Sequence, residues 1–189
     1  LKEAKQLVTA PDNVDDVLFD NADTSDILTV IELADEHEAK NCTVKKLAQQ
    51  LRGDTNFDTC RNVWQFAKKS IKYISDKSGY ERVKLANKTV HDGFGDCKSL
   101  TILEISLLRE LGINAKKRYV SWSEGADITH VYAVAILSGG EEVPMDAVHT
   151  RFNSEVKYAK KIDSLMKTKV ALVHGIDDIK DNAPYFNYT

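Results

Sequence analysis

The stretch "DGFGDCKSLTILEISLLRELGI", residues 92–113, carries the strongest indication of the fold. It begins with turn-forming residues and a cysteine, Cys97, and then runs into apolar residues at helical spacing. Residues 97–111 are therefore predicted to form a helix that Gly112 ends. The predicted helix has a broad apolar face for other elements to cover: Leu100, Leu103, Leu107, Leu108 and Leu111.

Cys97 stands at the start of this helix, which is a position suited to a reactive thiol. The first-turn N–H groups have no intrahelical partner, and their partial positive charge favours the nucleophilic thiolate. The same groups, including the N–H of Cys97, are placed to stabilise an oxyanion. Gly93 and Gly95 permit a tight turn and close approach of a substrate. The alternative is an inert buried cysteine, since free cysteines are among the most buried residues.

Three strands are predicted after the helix, over residues 116–122, 129–137 and 141–147. The first two are rich in β-branched and aromatic residues, and "SGG" at 138–140 predicts a hairpin between the last two. A helix followed by antiparallel strands is an α+β arrangement.

His130 and Asp146 fall on neighbouring strands of this arrangement. Pairing across the 138–140 turn puts residue 130 opposite a position within a few residues of 146–149. A carboxylate one strand away from an imidazole can orient it by a hydrogen bond. We therefore expect His130 to act as the base for Cys97 and Asp146 to orient His130. Taken alone, each would more simply be structural, a histidine satisfied by backbone and a strand-end acid.

A metal site is the competing interpretation, because His149 follows Asp146 by three residues. Zinc ligands usually come in pairs that are close in sequence. Of the four candidate ligands Cys97, His130, Asp146 and His149, only Asp146 and His149 are that close. We expect no metal and no cofactor. The "GFGD" glycines lack the Lys-Ser/Thr of a phosphate-binding loop.

The remainder of the chain is predicted to be mostly helical, over residues 24–41, 43–53, 58–79 and from 153. Residues 1–60 hold 13 Asp and Glu against 6 Lys and Arg. We expect residues 1–55 to form an acidic helical extension, suited to docking a protein partner or covering the site as a pro-segment. Residues 56–189 would then form the catalytic domain.

Composition limits the classes of function. A formal net charge of -3 argues against a nucleic-acid binder, and no stretch has the roughly 20 apolar residues of a membrane span. Three cysteines at unrelated spacings do not form a disulfide framework, which favours a reducing, cytoplasmic compartment; processing at the N-terminus stays open.

The blocks "GDCKSLTILEISLLRELGI", "THVYAVAIL" and "EVPMDAV" together resemble the signature of the transglutaminase-like superfamily. The resemblance extends over about residues 58–150. It implies a papain-like core, in which the cysteine-bearing helix packs on an antiparallel sheet. Matched block by block, it implies Cys97 as nucleophile, His130 as general base and acid, and Asp146 as the residue that orients His130.

The implied activity is cysteine-dependent acyl transfer on amide or peptide carbonyls through a thioester. Hydrolysis, as in a peptidase or amidase, is expected over transamidation, and the substrate would be a protein or peptide. The alternative function is a non-catalytic scaffold or binding module in a larger assembly. The sequence does not select a side-chain donor for the oxyanion among Asn87, Thr89 and His91.

Overall fold

The computed structural model describes residues 1–12, 15–20, 23–77, 80–167 and 187–188. The helices in these ranges are α1 (Thr24–Asn41), α2 (Lys45–Gln50), α3 (Asn56–Ser70), α4 (Ala86–Asp92) and α5 (Cys97–Glu110). The strands are β1 (Asp16–Asp20), β2 (Lys72–Tyr73), β3 (Tyr80–Lys84), β4 (Phe94–Gly95), β5 (Asn114–Ser121), β6 (His130–Ile136), β7 (Glu142–Met145), β8 (Lys160–Leu165) and β9 (Asn187–Tyr188). Short 3-10 turns lie at Ala4–Leu7 and Ser138–Gly140.

The main sheet is antiparallel, with the strand order β7-β6-β5-β8-β9. The predicted hairpin is present, with Ser138–Gly140 joining β6 to β7 and Ala133 facing Met145. On the other side of β6, His130 faces Val120 of β5. Two smaller pairings accompany the sheet, β1 with β3 antiparallel and β2 with β4 parallel.

Helix α5 is the centre of the fold, as its apolar face predicts. Every residue from 98 to 109 is buried, and the predicted leucine face is buried with them. One side of the helix packs on the sheet, where Ala133 and Ala135 of β6 belong to the same core. The mixture of helix and antiparallel sheet is the α+β, papain-like architecture expected from the sequence.

The first 55 residues are not only helical, because β1 lies among them and pairs with β3. Helix α1 begins with a capping box between Asp23 and Asp26 and packs on α5. Its acidic residues are partly internal: Asp35 and Glu38 are buried. The predicted boundary at residue 55 stays a prediction.

Helix α3 ends at Ser70, well before the predicted end at residue 79, which lies outside the described residues. Ile71 and Ile74 continue the helical spacing, but the chain is extended at Ile71 and β2 then pairs with β4. Pairing with a distant strand is a tertiary effect that periodicity does not record.

The helix predicted from residue 153 is wrong, because β8 occupies residues 160–165. Ile162 and Ser164 are buried on one face, while Asp163 faces the other and pairs with Arg118 of β5. Charged residues make this alternation hard to recognise in the sequence. In the sheet they pair with opposite charges on the neighbouring strand. The segment "VALVHG" at 170–175 and His174 lie outside the described residues. Within the described ranges, no helix combines the length and apolar character that crossing a membrane requires.

Candidate active site

Cys97 is the first residue of α5, and the loop before it is built for a tight approach to the helix. Asp96 caps the helix, with its Oδ1 accepting the Ser99 N–H at 3.0 Å. Gly93 has a positive φ of 78°, and a Cβ on Gly95 would stand 2.7 Å from that of Ser99. Gly95 therefore serves the close approach of the loop to α5, not the approach of a substrate as the sequence suggested.

His130 and Asp146 lie side by side at the end of the sheet next to Cys97. His130 Nε2 is 2.8 Å from Asp146 Oδ2, which leaves Nδ1 as the ring nitrogen available to Cys97, whose side chain also acts on the pKa of His130. Burial works to lower the pKa of His130, but the hydrogen bonds and negative charges of Asp146 and Cys97 outweigh it and raise that pKa to about 10. The imidazole is therefore positively charged at neutral pH.

Asp146 is held from three directions. Its Oδ1 accepts the backbone N–H groups of Val148 at 2.9 Å and His149 at 3.3 Å, and the Trp64 indole N–H donates to its carbonyl at 2.9 Å. The carboxylate is left with Oδ2 directed at His130. Trp64, which is buried in the core, thus also fixes the main chain at this point.

His149 takes part through its backbone, and its ring Nδ1 accepts the Arg151 N–H at 3.3 Å. The zinc group considered from the sequence is not assembled in the described part of the chain. There, the side chains close enough together to hold a metal ion are Asp76, Glu81 and Asp96.

Trp122 covers the outer side of His130. Its ring stacks on the imidazole with centroids 5.8 Å apart and planes at 28°, and the indole remains 47% exposed. A cation beneath an aromatic face is stabilised by the ring electrons. The exposure of Trp122 and its contact with His130 favour a position lining the substrate groove over one in the core.

A cleft of about 440 Å³ opens beside Cys97 and His130. Helix α1 forms one wall of it with Ile27, Leu28 and Ile31, and Ile128 adds to the apolar lining. Three carboxylates also line it: Asp23, Glu81 and Asp127. Local sequence pattern does not indicate that α1 reaches the site, because that contact joins residues about 70 positions apart.

Lys98, directly after Cys97, is a site residue that the sequence analysis missed. Its ammonium lies 2.6 Å from Glu81 Oε2 and 3.3 Å from Asp76 Oδ2, and it also pairs with Asp96. Burial opposes the charge of Lys98, but Asp96 and Glu81 raise its pKa above the usual value. The available signal was "DCK" itself, a lysine placed in the first turn of an otherwise apolar helix.

Glu104 is the other missed residue. It lies in the middle of α5, fully buried, and its Oε1 has no hydrogen-bond partner. Burial, and after it the charge of Asp146, raises the pKa of Glu104 well above its usual value, which favours the protonated carboxyl.

The candidate side-chain oxyanion donors do not line the cleft in the described structure. The Asn87 amide donates to Asp15 Oδ2 at 2.6 Å, the Thr89 hydroxyl donates to the Leu85 carbonyl at 2.9 Å, and His91 is exposed on α4. The N–H groups at the start of α5 are the donors that remain next to Cys97.

The chain belongs to the transglutaminase-like superfamily, whose family model matches residues 45–147. That match includes Cys97, His130 and Asp146 and begins after α1. No sequence among the curated proteins gives a significant match.

The chain is also similar to solved structures. A candidate protease from Parabacteroides distasonis superposes with a TM-score of 0.54 at 12% identity, over 76% of this chain and 29% of that one. A candidate cysteine protease from Cytophaga hutchinsonii gives 0.45 at 19% identity, over 71% and 49%. Legionella pneumophila LapG gives 0.48 at 15% identity, over 77% and 90%. The chain thus spans about half of the Cytophaga protein and under a third of the Parabacteroides protein.

Proposed function

We propose that this protein is a cysteine-dependent acyl-transfer enzyme that acts on amide or peptide carbonyls, with hydrolysis as its main outcome. The observation that carries the proposal is the His130–Asp146 hydrogen bond in the cleft that Cys97 and His130 line together. Membership in the transglutaminase-like superfamily supports it. The charged state of His130 supports it further, because an imidazolium beside a thiol stabilises the thiolate.

In the first half of the reaction, the Cys97 thiolate attacks the carbonyl carbon and forms a tetrahedral oxyanion. The N–H groups at the start of α5 donate to that oxygen. His130 gives its Nδ1 proton to the departing amine, the C–N bond breaks, and a thioester to Cys97 remains.

In the second half, His130 is neutral and accepts a proton from water at Nδ1. The hydroxide attacks the thioester, the C–S bond breaks, and the acid product leaves with the Cys97 thiolate and charged His130 restored. An amine in place of water would give transamidation by the same steps. The Nε2 proton stays on His130 throughout, and Asp146 accepts its hydrogen bond and so fixes the ring orientation.

The cleft supports a peptide substrate with an apolar side chain near the reacting carbonyl. Ile27, Leu28 and Ile128 offer an apolar surface beside Cys97. The carboxylate of Asp127 is exposed at the same cleft and would favour a basic residue nearby.

The test is iodoacetamide alkylation of Cys97 across pH, followed by peptide mass spectrometry. We expect the wild type to react well below the ordinary thiol pKa of about 8.5. His130→Ala should shift the reaction up to that of an ordinary thiol, because the positive charge beside sulfur is lost.

His149→Ala is the matched control, because its ring does not face Cys97, and it should alkylate like the wild type. Cys60 provides an internal reference, since burial raises its pKa to about 12 and should keep it unreactive. A Cys97 that alkylates identically with and without His130 would refute the enzyme and favour a non-catalytic scaffold.

Peptides then distinguish hydrolysis from transfer. A glutamine peptide with an aliphatic neighbour is incubated with and without a labelled amine. Release of free acid or of a cleaved peptide marks hydrolysis, and incorporation of the amine marks transamidation. Cys97→Ala should abolish both.

A further inference from the structure

The surroundings of Lys98 point to a role for this residue beyond an ordinary ion pair. Asp76 and Glu81 lie close together in sequence and Asp96 precedes α5, and one oxygen of each of the three lies within 4.8 Å of the other two. Three carboxylates this close repel one another and need a cation between them. Such a group of oxygens is also the kind that binds calcium.

The cation present is the ammonium of Lys98. It contacts all three carboxylates, and its side chain is only 8% exposed. Two of the carboxylates have further donors: Asp96 Oδ1 accepts from Ser99, and Asp76 Oδ2, which contacts Lys98, also accepts the Arg82 N–H at 2.7 Å. Lys98 therefore takes the central position among the three carboxylates.

This cluster borders the nucleophile. Asp96 and Lys98 flank Cys97 in sequence, and Lys98 and Glu81 line the cleft with it. Without a central cation, three negative charges would stand beside the Cys97 sulfur and disfavour the thiolate. They would also push Asp96 away from its capping position at the start of α5.

We propose that Lys98 is a built-in cation that takes the place of a metal ion at the nucleophile, so that Cys97 reactivity requires Lys98 and no divalent cation. Lys98 acts through the carboxylates and the helix start, so it is a positioning residue. The inference rests on Cys97 being the nucleophile of the proposed function.

The experiment compares alkylation rates of Cys97 at pH 7 in EGTA and in calcium. The wild type should react at the same rate in both. Lys98→Ala in EGTA should react at least about tenfold more slowly, because three carboxylates without a central cation oppose the negative charge that develops on sulfur. Calcium should restore much of the rate in this variant, because the vacated carboxylates can then hold the ion. Calorimetric titration with calcium chloride should show binding to Lys98→Ala and not to the wild type.

Two further variants make the result specific. Lys98→Ala combined with Glu81→Gln should remain slow in calcium, because a ligand is missing. Lys40→Ala, which breaks an exposed ion pair with Glu36, should leave the rate and its calcium independence unchanged. Thermal unfolding of each variant in both buffers separates loss of the fold from loss of reactivity.

The proposal fails if EGTA slows the wild type, if Lys98→Ala reacts at the wild-type rate, or if the slow variant does not respond to calcium. Should Lys98→Ala not fold, Lys98→Met, which keeps the length of the side chain, takes its place, and the EGTA comparison on the wild type still decides. If the proposed function itself is wrong, the result is a different one: alkylation of Cys97 will not depend on His130.

Discussion

At Asp146, the negative charge of the side chain can be removed without moving the side chain. Two backbone N–H groups hold one oxygen and His130 takes the other. An asparagine has the same shape and can accept from the same N–H groups, so it can keep its place while losing its charge.

Asp146→Asn should therefore lower the pKa of His130 from about 10 toward the ordinary value of about 6.5. His130 is charged below its pKa, so the substitution removes the positive charge beside Cys97 in the range between the two values. We expect Cys97 alkylation at pH 8 to fall about tenfold or more. NMR titration of the His130 ring measures the pKa directly, and an unchanged value would show that Asp146 does not set it.

Glu104 gives a prediction about stability and pH. Burial raises the pKa of its carboxyl in the folded protein, whereas in the unfolded chain the carboxyl ionises near pH 4.5, its usual pKa. The unfolded state thus binds fewer protons above pH 4.5, and the free energy of unfolding falls as pH rises.

Glu104→Gln cannot ionise and should be more stable than the wild type at pH 7, with the difference shrinking toward pH 4. Urea unfolding at both pH values measures this. Glu36→Gln, at an exposed position on α1, should show no such pH-dependent difference. A wild type that gains stability relative to Glu104→Gln between pH 4 and 7 would mean that Glu104 is ionised in the fold.

Helix α1 is fixed to the core by buried charges. Asp35, with no exposed surface, pairs with Arg109 of α5 and Lys117 of β5, and Lys117 also lies 3.1 Å from Glu32. The Tyr119 hydroxyl donates to Glu32 at 3.0 Å. These contacts hold the cleft wall against the helix that carries Cys97.

Asp35→Ala should lower the free energy of unfolding by about 3–5 kcal/mol, because it removes the carboxylate that pairs with the buried Arg109 and leaves Lys117 with Glu32 as its carboxylate partner. Its neighbour Glu36 pairs with Lys40 in solvent, and Glu36→Ala should cost only about 0–1 kcal/mol. Chemical denaturation compares the two. Equal losses would show that the buried cluster does not fix α1.

The sequence predicted the elements whose side-chain pattern is local. Helix α5 and the β6–β7 hairpin carry their own start and stop signals, so both were placed within about two residues. The proximity of His130 to Asp146 followed from the hairpin register. Strand β8 was missed because its charges are satisfied only by β5, and the end of α3 because β2 pairs with a strand about 20 residues away.

The same reasoning explains which parts of the site were missed. Cys97, His130 and Asp146 are recognisable by residue type and position on their elements. Lys98, Glu81 and the apolar residues of α1 acquire their meaning only from neighbours distant in sequence. Local pattern carries no information about such contacts.

At the level of the molecule, the cleft is formed by two parts of the chain, and only one of them is matched by the family model. The family model begins at residue 45, after α1, yet α1 supplies an entire wall of the cleft. We infer that the chemistry belongs to the shared core and that the choice of substrate depends on the added helix. Residues 1–55 would then act in recognition, and their acidic surface remains a predicted docking site for a protein partner.

Trp122 has a consequence for the search for that substrate. The chain has two tryptophans, and both touch the site: Trp122 stacks on the imidazole, and Trp64 binds the main chain of the carboxylate. Trp64 is buried, so the half-exposed indole of Trp122 is the one that an incoming molecule would shield from water. The intrinsic tryptophan fluorescence of the protein thus comes from the two sides of the candidate site. Binding of unlabelled compounds can be screened by the shift in its emission wavelength.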